Sequence, residues 1–354
     1  MRKSSTPRHL NSPVKTLARP LLLTTALALL LAVLSVGVGA VNIPPGQALA
    51  VLWDALRGVP PASGGGDILR VILVDLRLPR TLLMALTGAA LAASGAAYQG
   101  LFRNPLADPY LIGAASGAGL GAVAAISLDW PSSALGYLAV PLASFATAII
   151  TVLIVYRMAR VGNTLPVTNL ILAGVALSSF ATALTSFLMI NASGELRRAL
   201  VWLLGGSTLS GWKPVIGQLP YTLIGCAVLL AMSYRLNVLQ FGDEQAQQLG
   251  LNARRSRTVV VAAATLATAS AVAFSGIIGF AGLIVPHILR RIWGGDMRRL
   301  MPLSIAGGAA LLLAADILSR VILAPQELPV GIITALAGAP FFLAILRRTK
   351  KGRW

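Results

Sequence analysis

Few side chains in this sequence could do covalent chemistry, and their types set the first constraint. There are two histidines, His9 and His287, so no H-E-x-x-H metal site can be built. The single cysteine, Cys226, lies inside an apolar run and supports neither a disulfide framework nor a cysteine metal cluster. No Gly-Lys-[Ser/Thr] sequence occurs, so there is no Walker loop and the chain cannot hydrolyse ATP alone. No Ser/His/Asp set can be assembled. Two titratable residues remain inside apolar stretches. Asp316 could carry a coupling ion, or it could form an i,i+4 ion pair with Arg320 at a helix end. His287 could relay protons, or be a hydrogen-bonded interfacial residue.

The elements that hold these residues are apolar. Of 354 residues, 56% are hydrophobic and 11% charged, and the mean hydropathy is +0.79. Apolar blocks of about 20 residues match the thickness of a bilayer's hydrocarbon. The chain reads as an all-α integral membrane protein with ten spans near 20–41, 79–99, 110–128, 134–156, 167–190, 214–233, 258–275, 277–292, 302–320 and 330–346. Arg2, Lys3, Arg8, Lys15 and Arg19 ahead of the first span resemble the basic start of a signal peptide. The apolar run is long for a cleaved segment and no clear A-x-A site follows it, so it is read as a retained span.

The net charge of +18 would suggest nucleic acid in a soluble protein. Here it tests topology. With both tails inside, the loops and tails assigned to the cytoplasm hold 21 of the 29 Lys and Arg residues, leaving 8 outside. That bias follows the positive-inside rule and accounts for the charge without a nucleic acid. Small residues recur every four positions at Gly113, Gly117 and Gly121, and at Gly88, Ala92 and Ala96, as close helix packing in a membrane requires. Gly276, Gly279 and Gly282 predict a very tight outer turn between spans seven and eight.

Four connecting segments carry more pattern than a linker needs. Arg77-Leu78-Pro79-Arg80 opens span two with a pre-organised proline, and its two outer arginines run against the charge trend, which suggests an acidic partner. Arg103-Asn104-Pro105-Leu106-Ala107-Asp108-Pro109 predicts a rigid inner turn. In the longest inner loop, residues 242–250 read as a short polar helix, with Asp243 and Glu244 at its N-terminus and Gly250 at its stop. A polar helix gains little on lipid, so a soluble partner is expected to take it. The fourth segment is Val285-Pro286-His287-Ile288-Leu289-Arg290-Arg291 with Gly294 to Arg299.

Together these blocks resemble the iron-chelate and cobalamin permease family of ABC importers, the FecCD or type II kind. The resemblance runs from about residue 70 to 347. It rests on RLPRTLLMALTGAALAASGAAYQGLFRNPLADPYLIGAASGAGLG, GDEQAQQLG, GFAGLIVPHILRR, GGDMRRLMPLS, LAADILSR and ELPVGIITALAGAPFFLAIL, in that order. It implies a ten-helix permease domain, placed over 20–347 with a coupling loop near 235–257, to which the charge count adds basic cytoplasmic tails over 1–19, which has no family counterpart, and 348–354. It implies a multi-pass protein of the cytoplasmic (inner) membrane that pairs as a homodimer, with two ATPase subunits below and a periplasmic or lipid-anchored substrate-binding protein above. No cofactor is implied on this chain; ATP and magnesium belong to the ATPase.

The same resemblance assigns residues. Gly242, Glu244, Ala246 and Gly250 would couple to the ATPase, and Arg77, Arg80 and Arg320 would meet acidic residues of the binding protein. Asn104, Pro105 and Leu106 with Val167, Thr168 and Asn169 would form the cytoplasmic gate, although Leu165-Pro166-Val167-Thr168 holds fewer hydroxyls than many members. The cargo implied is a ferric siderophore, haem or cobalamin. An ion-coupled secondary transporter of a large solute is the alternative. Reversing charge at Arg77 and Arg80 together is expected to impair uptake while leaving the amount of protein in the membrane unchanged.

Overall fold

The computed structural model describes residues 13–39, 43–59, 65–128, 138–162, 165–191, 195–207 and 209–350. Along the chain, α1 is Pro13–Gly37, α2 Pro45–Leu56 and α3 Gly65–Arg70; a π-helical stretch, Val71–Arg77, then leads without interruption into α4, Leu78–Leu101. A 3-10 turn at Pro109–Ile112 precedes α5, Ala114–Ser127. Then follow α6 (Ala139–Ala159), α7 (Val167–Asn191), α8 (Leu196–Leu203), α9 (Trp212–Leu239) and α10 (Asp243–Gln248). The last four are α11 (Ala253–Ser275), α12 (Ala281–Trp293), α13 (Met297–Val321) and α14 (Val330–Lys350).

Each of the ten expected spans contains a helix among the described residues, although 277–280 of the eighth is not helical and 40–41 and 134–137 lie outside the described residues. Among the described residues seven helices are long and apolar enough to cross a membrane, and Ala114–Ser127 and Val330–Ile345 are shorter apolar helices. The eighth expected span becomes α12, of 13 residues. Neither α2, of 12 residues, nor α8, of 8, is expected from the sequence, because each is too short for a span.

The centre of the bundle is α4, which packs against α13, α9, α11 and α12. Its composition explains why. Residues 87–101 are all buried, and most of them are alanine, glycine or serine. A Cβ added at Gly88 would collide with the backbone carbonyl of Gly308 on α13, and one added at Gly308 would collide with Gly88 O. The two backbones therefore touch where no hydrophobic force draws helices together, and dispersion between close surfaces supplies the attraction. The second stripe works in the same way: Gly117 and Gly121 of α5 face Thr151 and Thr147 of α6. By contrast α1 and α7 expose most of their apolar surface, as peripheral helices do.

The tight turn after α11 departs from expectation in its depth. Ser275 Oγ lies 2.6 Å from Thr87 Oγ1, about two and a half turns into α4, and Gly282 packs against Gly95. The segment 276–280 is thus non-helical backbone inside the bundle rather than at its end. Such backbone survives at membrane depth only when protein satisfies its polar groups. Within it, Tyr110 Oη donates to Ile278 O at 3.0 Å. Gly276 and Phe280 take positive φ values of 74° and 66° to make the reversal.

Candidate functional site

Two ends of the bundle carry the singled-out residues. At the mouth end the C-terminus of α1, the N-terminus of α4, the C-terminus of α13 and the loop 322–329 converge around a cavity of about 500 Å³. Asp316, fully buried, is the hub. Arg80 Nε meets its Oδ1 at 2.8 Å, and Arg320 Nη2 meets its Oδ2 at 2.9 Å. Arg80 also pairs with the exposed Glu327. The i,i+4 pair read from the sequence is present, and a third and fourth partner join it. Neither was legible, because Arg80 lies 236 positions from Asp316.

Arg77 and Arg320 do a second job. The last turn of α1 leaves carbonyls without intrahelical donors. Arg77 Nη1 donates to Val36 O and Gly37 O at 3.1 and 2.8 Å. Arg320 Nη1 donates to Ser35 O and Val38 O at 3.0 and 2.8 Å, and its Nη2 to Ser35 Oγ at 2.8 Å. Cations at a helix C-terminus also complement its dipole. Both guanidinium groups are buried in this role, while the Arg80 side chain keeps about a third of its surface, 33%. All three expected docking arginines line the cavity, and Arg80 is the most exposed of them.

At the opposite end stands α10. Gly242, at φ +113°, starts it, and Gly250, at φ +76°, follows its stop. Glu244, Gln245, Gln247 and Gln248 are exposed, and so are the flanking Phe241 and Leu249. Ala246 faces inward, wholly buried in the same apolar cluster as Phe102, Ala107, Leu165 and Leu170. Its contacts are with its own bundle, so it seats the helix.

The loop after α4 is as rigid as its prolines imply. Asn104 Oδ1 accepts from Leu106 N at 2.9 Å, and Asp108 Oδ1 accepts from Tyr110 N at 2.8 Å. Burial pushes the Asp108 carboxyl up to about 6, against the pull of that backbone N–H. His287 hydrogen-bonds the Pro105 backbone and stacks edge-on with Phe341. One ring nitrogen is thus hydrogen-bonded, while Nδ1 is buried without a hydrogen-bond partner among the described residues. The Arg103 guanidinium lies beside Gly242, which brings this loop to α10.

At the start of α7, Val167 and Asn169 are half-buried and Thr168 is exposed. Neighbours of the two expected gate segments, Phe102, Ala107, Leu165 and Leu170, belong to one apolar cluster. The loop after α4, the start of α7 and α10 thus share one apolar cluster, while the arginines gather at the other end.

Comparison with known proteins decides what this two-ended bundle is. The model of the FecCD transport family matches residues 27–348. The chain belongs to the FecCD transport family. It is 44% identical to the cobalamin import system permease protein BtuC of Halobacterium salinarum, over 93% of this chain and 89% of that protein. It is 40% identical to the Fe(3+)-citrate import system permease protein YfmE of Bacillus subtilis, over 93% and 96% of the two chains. Among solved structures, an inward-facing putative metal-chelate type ABC transporter superposes with a TM-score of 0.78 at 29% identity, covering 94% of this chain and 99% of that one. As a FecCD permease the chain is a membrane subunit of an ABC importer and not itself catalytic.

Proposed function

We propose that this permease carries a large metal chelate or corrinoid inward by alternating access, driven by ATP that a separate subunit hydrolyses. The observation that carries this reading is the separation of two docking surfaces. The arginine-lined mouth lies at one end, and the exposed polar α10, rooted by Ala246, lies at the other.

The mouth faces outward and receives an acidic substrate-binding protein through Arg80, with Arg77 and Arg320 behind it. The α10 end faces the cytoplasm, and both termini lie on that side. Glu244 and the ends of α10 at Gly242 and Gly250 enter an ATPase groove, where the exposed Phe241 and Leu249 supply apolar contact. Approach of two ATPase subunits then shifts α10, and with it the cluster that holds Asn104–Leu106 against the start of α7. A second copy of the chain covers the exposed apolar face of α7, which presents Phe180, Leu184 and Phe187. The basic tails at 1–19 and 348–354 flank the permease domain.

Cargo is a ferric siderophore, haem or cobalamin. Relatives of similar identity are named for cobalamin and for ferric citrate, so the class is supported more strongly than any member of it. Ion coupling is the second reading, and Asp316 argues against it: two guanidinium groups already engage its carboxylate.

Uptake of labelled ferric siderophore, haem and cobalamin in cells lacking and re-expressing the gene tests both readings. The assay is run with the proton gradient collapsed and ATP maintained. Uptake of one cargo under those conditions is expected. Uptake lost with the gradient while ATP persists would overturn the ATP-driven reading.

A further inference from the structure

A second concavity lies away from both ends. Between α6 and α9, with α11 as its floor, runs an apolar groove of about 510 Å³. Ile149 and Leu153 line one wall, Ile224 and Val228 the other, and Ala262 and Leu266 the floor. Leu153 and Ile224 stand exposed on its two rims, so the groove opens onto the membrane-facing surface. Hydrocarbon must cover such a surface in a bilayer, and a gap left there would forfeit the dispersion contacts of its lining.

The groove changes character toward the α10 end. The hydroxyls of Tyr156 and Thr258 lie 2.6 Å apart at an exposed position. One turn further, Arg255 is exposed in helical register with Val259, Ala262 and Leu266, hence in line with the floor. Arg157, next to Tyr156, is exposed on α6. The three helices α6, α9 and α11 contain no aspartate or glutamate that could neutralise these bases.

We propose that this groove is a binding site for an anionic phospholipid. One acyl chain lies along the roughly 12 Å of α11 between Thr258 and Leu266. The phosphate-bearing headgroup sits at the hydroxyl pair between Arg157 and Arg255. A zwitterionic lipid would fill the groove equally well, but the two guanidinium groups act on net negative charge. The proposal rests on insertion in a membrane and on these side chains, and it is independent of cargo and partners.

Native mass spectrometry of the full-length protein, in the assembly it purifies in, tests this with phosphatidylglycerol and phosphatidylcholine of identical chains. Phosphatidylglycerol is expected to bind at least about fivefold tighter, the effect of roughly one effective surface charge. Arg157→Gln with Arg255→Gln should abolish that preference and leave chain binding. Ile224→Trp should close the groove and remove both lipids; Ile149→Trp repeats the test from the other wall if the first variant fails to assemble. Equal affinity of the wild type for the two lipids would overturn the proposal, as would a preference that survives the double glutamine variant. Retention of both lipids by the tryptophan variants would place the lipid elsewhere and overturn it too.

Discussion

Arg80 and Asp316 meet at 2.8 Å across 236 residues of chain, and the contact ties the start of α4 to the end of α13. Asp316 has no exposed surface and also holds Arg320. Charges are kept at such depth only when paired, and removing one partner leaves the others uncompensated.

Asp316→Asn is therefore expected to destabilise the protein by about 3 kcal/mol or more, because it strands the buried Arg320. The measurement is thermal unfolding in detergent, together with the amount of protein in the membrane. Asp316→Asn with Arg320→Met should recover part of the loss. A single variant as stable as the wild type would show that the pair holds nothing together.

Charge changes at the mouth divide by residue. Arg80→Gln should impair uptake and docking of the binding protein with only a modest loss of membrane level, since Arg320 still compensates Asp316 and Arg80 keeps a third of its surface. Arg77→Glu should lower the amount of folded protein, because it replaces a cap on Val36 and Gly37 by a charge that repels carbonyls. The double reversal thus cannot be the neutral test that the sequence suggested. Equal membrane levels for both single variants would refute the capping role.

At α10 the two kinds of position separate. Glu244→Ala with Gly250→Ala should uncouple ATP hydrolysis from uptake while the permease still folds; the Gly250 change costs roughly 1–2 kcal/mol at φ +76°, where a Cβ is strained. Ala246→Trp should instead unseat α10 and lower thermal stability, since Ala246 is wholly buried. Wild-type uptake by the first variant, with normal ATPase binding, would remove Glu244 from the coupling role.

Asp108 gives a pH signature. Its carboxyl titrates near 6 when folded, above its ordinary value of 3.8. The folded state then holds the proton more tightly than the unfolded state. Its contribution to stability is present below about 4, is lost as pH rises toward 6, and stays constant above that. Asp108→Asn keeps the acceptor for Tyr110 N and should flatten that part of the stability profile. An unchanged slope in the variant would exclude Asp108 as its source.

Gly88→Leu should block assembly of α4 with α13, because the added side chain meets the Gly308 backbone, which cannot turn aside as a side chain can. Protease resistance of the membrane-inserted protein is the readout, and a resistant, active variant would refute the close approach.

What the sequence determined by itself follows from local physics. Hydrocarbon thickness favours apolar blocks of about one length, so the positions of the long spanning helices were visible, and glycine spacing marked the stripes of α4 and α5. Ordered motifs identified the family and the α10 segment. What only the tertiary structure decided depends on contacts between distant residues. Arg77 and Arg320 looked equivalent to Arg80 because all three are bases at span ends, yet the carbonyls of α1 lie beside two of them. The depth of the 276–280 turn was hidden for the same reason. Glycines predict a reversal, but its level is set by Thr87 and Gly95 on another helix, which no periodicity in its own segment encodes.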